Sequence, residues 1–159
     1  MNPARITGFT LIEAMVVIAI IGATILMVPA VLPWLNRQGV SHAVEQLQTD
    51  LQLSRVAAIR QGETCTVRFN TPGPNQYVIG SNDRCCDLAA YRGNVHFLKQ
   101  GPDGKRMTSQ VSFNCQGMHT TIVPARIFLA DGDGGEVYRI EIKQAGGISV
   151  CRWSNGCWR

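Results

Sequence analysis

The hydrophobic and polar positions of the chain fall into stretches with different periods. From Ala14 to Asn36 there is no charged residue, and the run is about as long as a bilayer-spanning helix. Pro29 and Pro33 lie inside it, and each removes a backbone donor, so a kink or local melting is expected there. Further on, Val40, Val44, Leu47, Leu51 and Ala58 recur at the steps of an amphipathic helix. Glu45, Gln46, Asp50, Gln52 and Arg55 take the remaining faces, and Gly62 is placed to end the helix. One long, bent helix over Phe9–Gln61 is predicted, with weak spots at the two prolines and Gly39.

Beyond Thr64 the pattern changes to short runs of β-forming residues separated by turns. Strands are predicted at Thr64–Phe69, Gln76–Gly80, Val95–Leu98, Gln110–Asn114, Arg126–Ala130, Val137–Ile142 and Gly147–Cys151. Val137 to Ile142 alternates cleanly, which marks a strand with one wet face. Thr71 to Asn75 and Asp131 to Gly135 are rich in turn residues and read as hairpin loops. Antiparallel strands following a single helix give an α+β fold, a long N-terminal helix packed against an antiparallel β-sheet domain.

Composition adds a compartment. With 159 residues there is room for one modest domain beside the apolar run, and a net charge of +4 points to no particular partner. Six cysteines are many for this size, and with an N-terminal membrane segment they fit an oxidising compartment. There is no C-x-x-C pair, and His42, His96 and His119 stand at no zinc-ligand spacing, so disulfides are expected rather than a metal. Cys151 and Cys157 enclose a short loop with Asn155-Gly156 at its turn and are expected to bond to each other. Adjacent Cys85 and Cys86 are not expected to pair, because a vicinal bond strains the geometry; one or both should reach Cys65 or Cys115.

Catalytic and cofactor signals are weak. Asp131-Gly-Asp-Gly-Gly-Glu136 has oxygen ligands at spacings like a calcium loop, but it lacks a third side-chain ligand and the distant bidentate glutamate. It reads as a hairpin turn. No serine sits in a nucleophile elbow, the histidines are scattered, and no glycine-rich loop joins a strand to a helix. Neither an enzyme nor a cofactor is expected.

The N-terminus is more specific. An ordinary secretory signal places its cut site after the apolar core. Here the short leader, Met1 to Gly8 with Arg5, comes before the apolar run. A cut after Gly8 leaves the helix on the mature protein, and Arg5 keeps the leader cytoplasmic. Glu13 is then the fifth residue of a chain starting at Phe9, an expensive place for a carboxylate without a partner. The α-amino group of an adjacent subunit is one such partner.

Gly8-Phe9-Thr10-Leu11-Ile12-Glu13, followed by an apolar helix, resembles the class III signal of type IV pilins and type II secretion pseudopilins. The resemblance implies cleavage by prepilin peptidase, N-methylation of Phe9, and docking of Glu13 against a neighbouring subunit. It divides the chain into a leader (1–8), a transmembrane and filament-core half-helix (9–36) and a periplasmic head (37–159). Past the first helix, the order of elements is similar to FimT/FimU-type minor pilins and the GspH pseudopilin. The function implied is a structural minor pilin of a type IV pilus-type filament; the alternative is a GspH-like pseudopilin of a type II secretion system. Expected partners are other pilin or pseudopilin subunits, prepilin peptidase, the inner-membrane assembly platform and the inner membrane. The subunit is expected first in the inner membrane, head periplasmic, then in an extracellular or periplasmic filament.

Some FimT-type members bind DNA in natural transformation through arginines of a glycine-arginine motif. The tail of this chain has Arg152, Trp153, Trp158 and Arg159, with Arg139 and Lys143 upstream, but no Gly-Arg-x-Arg string. Cations beside aromatic faces suit non-specific strand binding, so DNA is a second alternative, set against a tail whose tryptophans simply pack.

Overall fold

The computed structural model describes residues 11–80, 84–91, 93–132 and 136–159, apart from the side chains of residues 26–37 and of Arg84. Gly8 and Phe9 lie outside the described residues. Helix α1 runs Leu11–Gln61 and ends where expected; the predicted start at Phe9 lies outside the described residues. Gly62, with φ +69°, supplies the left-handed residue that stops it. The expected local melting at Pro29 and Pro33 is not found, because helical backbone continues through both. A proline deletes a single bond to the preceding turn, and the bonds around it can keep the helix going.

The chain forms two compact units, one ending at Trp34 and the other Leu35–Arg159. In the first, Leu11, Ile12, Met15, Val16, Val17, Ile18, Ile20, Ile21 and Ile25 are all exposed, so the described part of this helix is apolar all round. Among the described residues, no helix is long and apolar enough to cross a membrane.

In the second unit the strands form two antiparallel sheets. They are β1 (Cys65–Phe69), β2 (Gln76–Ile79), β3 (Arg84–Asp87), β4 (His96–Phe97), β5 (Gln110–Phe113), β6 (Ala125–Ala130), β7 (Val137–Ile142), β8 (Ile148–Ser154) and β9 (Cys157–Trp158). The first sheet has the order β3-β2-β1-β5 and the second β4-β6-β7-β8-β9. All seven predicted strands are present within a residue or a few of their expected bounds; β3 and β9 were not anticipated. β3, Arg84-Cys-Cys-Asp87, has no β-branched or aromatic residue to mark it as a strand, and β9 is too short to show a period.

One core joins the helix to both sheets. Val40, Val44, Leu47, Leu51 and Ala58, the stripe predicted from periodicity, are buried against Val67, Phe69, Val111 and Phe113 of the first sheet and Ile127, Leu129, Ile140 and Ile142 of the second. Asn75 links the sheets: its backbone carbonyl accepts from Leu88 N–H at 3.0 Å and its side-chain oxygen from Phe97 N–H at 3.1 Å. The Asp131 loop joins β6 to β7 as a hairpin, Asp131 N–H donating to Glu136 O at 3.3 Å. Its residues 133–135 lie outside the described set.

The alternation of β7 is as expected, but its outward face is not wet. Side chains of Arg139 and Glu141 are only 12% and 19% exposed. The segment between β4 and β5 folds across this face, with Gly101 so close that a Cβ there would stand 2.5 Å from the Phe128 ring. Covering of this kind depends on a distant loop, which strand periodicity cannot report.

Candidate functional site

Glu13 stands in the first turn of α1, where a carboxylate complements the helix dipole, and its surroundings in the described chain are exposed and apolar.

The tail is a hairpin. Asn155 and Gly156 both take positive φ, 52° and 79°, as a two-residue turn between twisted strands requires. Trp153 opposes Trp158, Ser154 opposes Cys157, and Arg152 and Arg159 exchange both backbone hydrogen bonds, at 2.7 and 2.9 Å. β-pairing, and not a disulfide, therefore brings the two arginines together. Trp153 and Trp158 also meet, edge to face with centroids 5.0 Å apart.

The free chemistry of that tail is smaller than its composition. Trp158 donates Nε1–H to Asp103 at 3.0 Å, lies 5.8 Å from the Phe128 ring and carries the Arg139 guanidinium at 4.6 Å. Its faces are used by the protein. Arg152 pairs with Glu136 at 3.4 Å. Burial pushes the Asp103 carboxyl up, but the Trp158 and Lys105 N–H donors and the Lys105 and Arg139 charges outweigh it and hold it low. Arg139 and Arg126 also both reach Glu141, at 3.3 and 3.5 Å. This is a structural network on the covered face of the second sheet.

The disulfide expectations need correction. All six cysteines are free thiols. Cys151 opposes Arg139, while Cys157 opposes Ser154. Side chains alternate along a strand, so Cys151 shares the face of Trp153 and Trp158, whereas Cys157 takes the other. Their mutual bond has no geometry here. Cys85 and Cys86 oppose Val78 and Tyr77, so β2 separates them from β1 and its Cys65. Two strand spacings are about 9.5 Å, beyond the span of a disulfide. Cys115, past the end of β5, is one strand further.

A buried polar cluster escaped the sequence reading, which placed Asp50 on the polar side of the helix. Asp50 is 1% exposed and accepts from Tyr77 Oη at 2.6 Å, Gln46 Nε2 at 3.2 Å and Cys86 Sγ at 3.9 Å. Burial, then the Asp50 carboxylate, push the Tyr77 hydroxyl well above its ordinary range. The available signal was position: Asp50 stands three residues after Leu47 and one before Leu51, at the edge of the apolar stripe. Among the described residues no cluster of His, Cys, Asp or Glu is suited to a metal.

Comparison with known proteins agrees with this architecture. Residues 43–146 match the family described as type II transport protein GspH, and residues 4–29 match the prokaryotic N-terminal methylation motif. Two crystal forms of the type IV minor pilin FimU of Pseudomonas aeruginosa are similar in structure. One is 18% identical, covers 80% of this chain and 97% of that one, and has a TM-score of 0.56. The other is 17% identical, covers 75% and 96%, and has a TM-score of 0.52. No curated protein matches. At that identity the FimU structures speak for the fold, while the family model spans more than half of the sequence: the chain belongs to the GspH family and has the type IV pilin-like fold, a long helix against antiparallel sheets.

Proposed function

We propose that the chain is a structural minor pilin, assembled through its N-terminal helix into a type IV pilus-type filament, and that it has no catalytic role. The observation that carries this reading is the described start of α1. From Leu11 to Ile25 it is exposed and apolar on every side, interrupted by one acid, Glu13. Such a surface is stable only in lipid or among similar helices, and an assembly supplies both in turn.

In this reading residues 1–8 are a leader, 9–36 the membrane and filament-core half, and 37–159 the periplasmic head. Prepilin peptidase cuts between Gly8 and Phe9, Phe9 is methylated, and Glu13 meets the α-amino group of Phe9 on the next subunit. The match to the N-terminal methylation motif supports the processing step. A second reading, a pseudopilin of a type II secretion system, draws on the description of the matched family.

Shearing filaments from producing cells and sequencing the subunit they contain tests the proposal. The expected result is a methylated chain beginning at Phe9. Its absence from filaments, or a mature chain with another start, overturns the reading; recovery only from a short periplasmic pseudopilus selects the secretion alternative.

A further inference from the structure

Strand β8 is paired on both sides only near its C-terminal end. β9 covers residues 152–154, leaving Ile148 to Cys151 as an open edge of the second sheet. Antiparallel pairing alternates the direction of backbone groups. Because Arg152 bonds toward β9, the N–H and C=O groups of Ile148 and Val150 point to the same open side, with no backbone partner among the described residues. Natural sheets blunt such edges with charge, proline or a bulge. Ile148-Ser149-Val150-Cys151 has no charge and no proline.

Beside this edge is a groove of about 160 Å³, lined by Gln52, Arg55, Val56 and Ile59 of α1 with Gly146 and Ile148. Val56 and Ile59 are each 48% exposed, so its helical wall is apolar and uncovered. Arg55 is fixed in it by donating Nε–H to Gly117 O at 2.9 Å. No acidic partner of Arg55 occurs among the described residues. Gly146, at φ +78°, has no room for a side chain: a Cβ would stand 2.1 Å from Gly117 O and 2.8 Å from Arg55 Nε. The loop is therefore held tight against the guanidinium, which forms one end of the groove.

We propose that an extended segment of a neighbouring filament subunit, bearing an aliphatic residue close to a carboxylate, adds to β8 as an outer strand and seats in this groove. The inference rests on the filament reading above. Backbone pairing with Ile148 and Val150 holds the segment, the aliphatic side chain covers Val56 and Ile59, and the carboxylate meets Arg55. Strand addition at an edge beside a pocket-lined helix gives affinity through the main chain and specificity through side chains.

The test is photo-crosslinking in cells that assemble the filament, with Gln52→p-benzoylphenylalanine in the full chain. The adduct should fall on an extended segment of another filament subunit, with Asp or Glu within two residues. Val150→Pro deletes the outward N–H without touching a bond to β7, and should lower the adduct about fivefold or more. Arg55→Gln should do the same and Arg55→Lys should restore part of it; if Val150→Pro reduces the amount of subunit, the Arg55 pair decides. An adduct on a helix, or one indifferent to the Arg55 changes, overturns the proposal. A subunit present in sheared filaments without any adduct overturns strand addition alone, whereas a subunit missing from filaments removes the underlying reading as well.

Discussion

Tyr77 donates a 2.6 Å hydrogen bond to Asp50, joining the first sheet to the helix in a region where both residues are about 1% exposed. Ring contacts of Tyr77 with Phe69 and Phe97 extend that junction into the aromatic core. A buried carboxylate that loses a donor keeps its desolvation cost, so Tyr77→Phe should destabilise the chain by about 1–3 kcal/mol. Urea unfolding of the detergent-solubilised protein, followed by near-UV circular dichroism, measures this.

The same contact predicts an alkaline limit. Unfolded tyrosine ionises near 10.0, whereas burial and Asp50 raise the folded hydroxyl above that. Below about pH 10 both states are neutral and the contribution of Tyr77 is fully present. As pH rises above that, only the unfolded state loses its proton, so stability falls, by up to about 1.4 kcal/mol per pH unit. Tyr77→Phe should remove this share of the slope above pH 10 and leave neutral pH behaviour parallel.

Glu13→Ala should be inserted and processed like the parent, yet be depleted from sheared filaments. Removing one member of a buried ion pair costs roughly 3–5 kcal/mol, because the remaining charge is stranded. Quantifying the subunit in membranes and in filaments separates insertion from assembly. Equal recovery of Glu13→Ala and parent in filaments would remove the pairing role.

Trp158→Ala should destabilise the head by about 3 kcal/mol, the lower end for a large aromatic truncation. It removes the Asp103 hydrogen bond, the contact with Phe128 and the ring under Arg139 together. Cys157→Ala next to it, with an exposed side chain, should change little. Melting both variants at one pH tests whether the tail tryptophan is a packing residue.

Duplex DNA should bind the parent weakly or not at all at physiological salt. Arg152 already pairs with Glu136, and the faces of Trp158 are occupied. Few phosphate contacts remain, and those lose affinity steeply with salt. A titration at two salt concentrations, with an Arg152→Ala/Arg159→Ala double variant alongside, checks this. Tight parent binding lost in the double variant would restore the DNA-uptake reading.

Much of the architecture was legible because it is locally encoded. Val40, Val44, Leu47, Leu51 and Ala58 had to share one face by helical geometry, whatever they later packed on. Asn155-Gly156 required a tight turn, which alone brings Arg152 opposite Arg159. The N-terminal methylation motif matched over residues 4–29 is readable from sequence for the same reason: such a motif depends on order along the chain, not on contacts across it.

Register and sheet order decided the rest. Six cysteines imply bonds only if strands bring them side by side, and β2 between β3 and β1, with Cys157 opposite Ser154, prevents the expected pairs. Asp50 looked solvated because helical position places it at the edge of the stripe; only the arrival of Tyr77 from β2 makes that edge interior. Arg139 and Trp158 are 19 residues apart in number, yet they stack because β7, β8 and β9 align and a loop holding Asp103 closes over them. Short-range periodicity records which side a residue favours, while the neighbour that meets it is chosen by strand pairing, over distances along the chain that no local pattern spans.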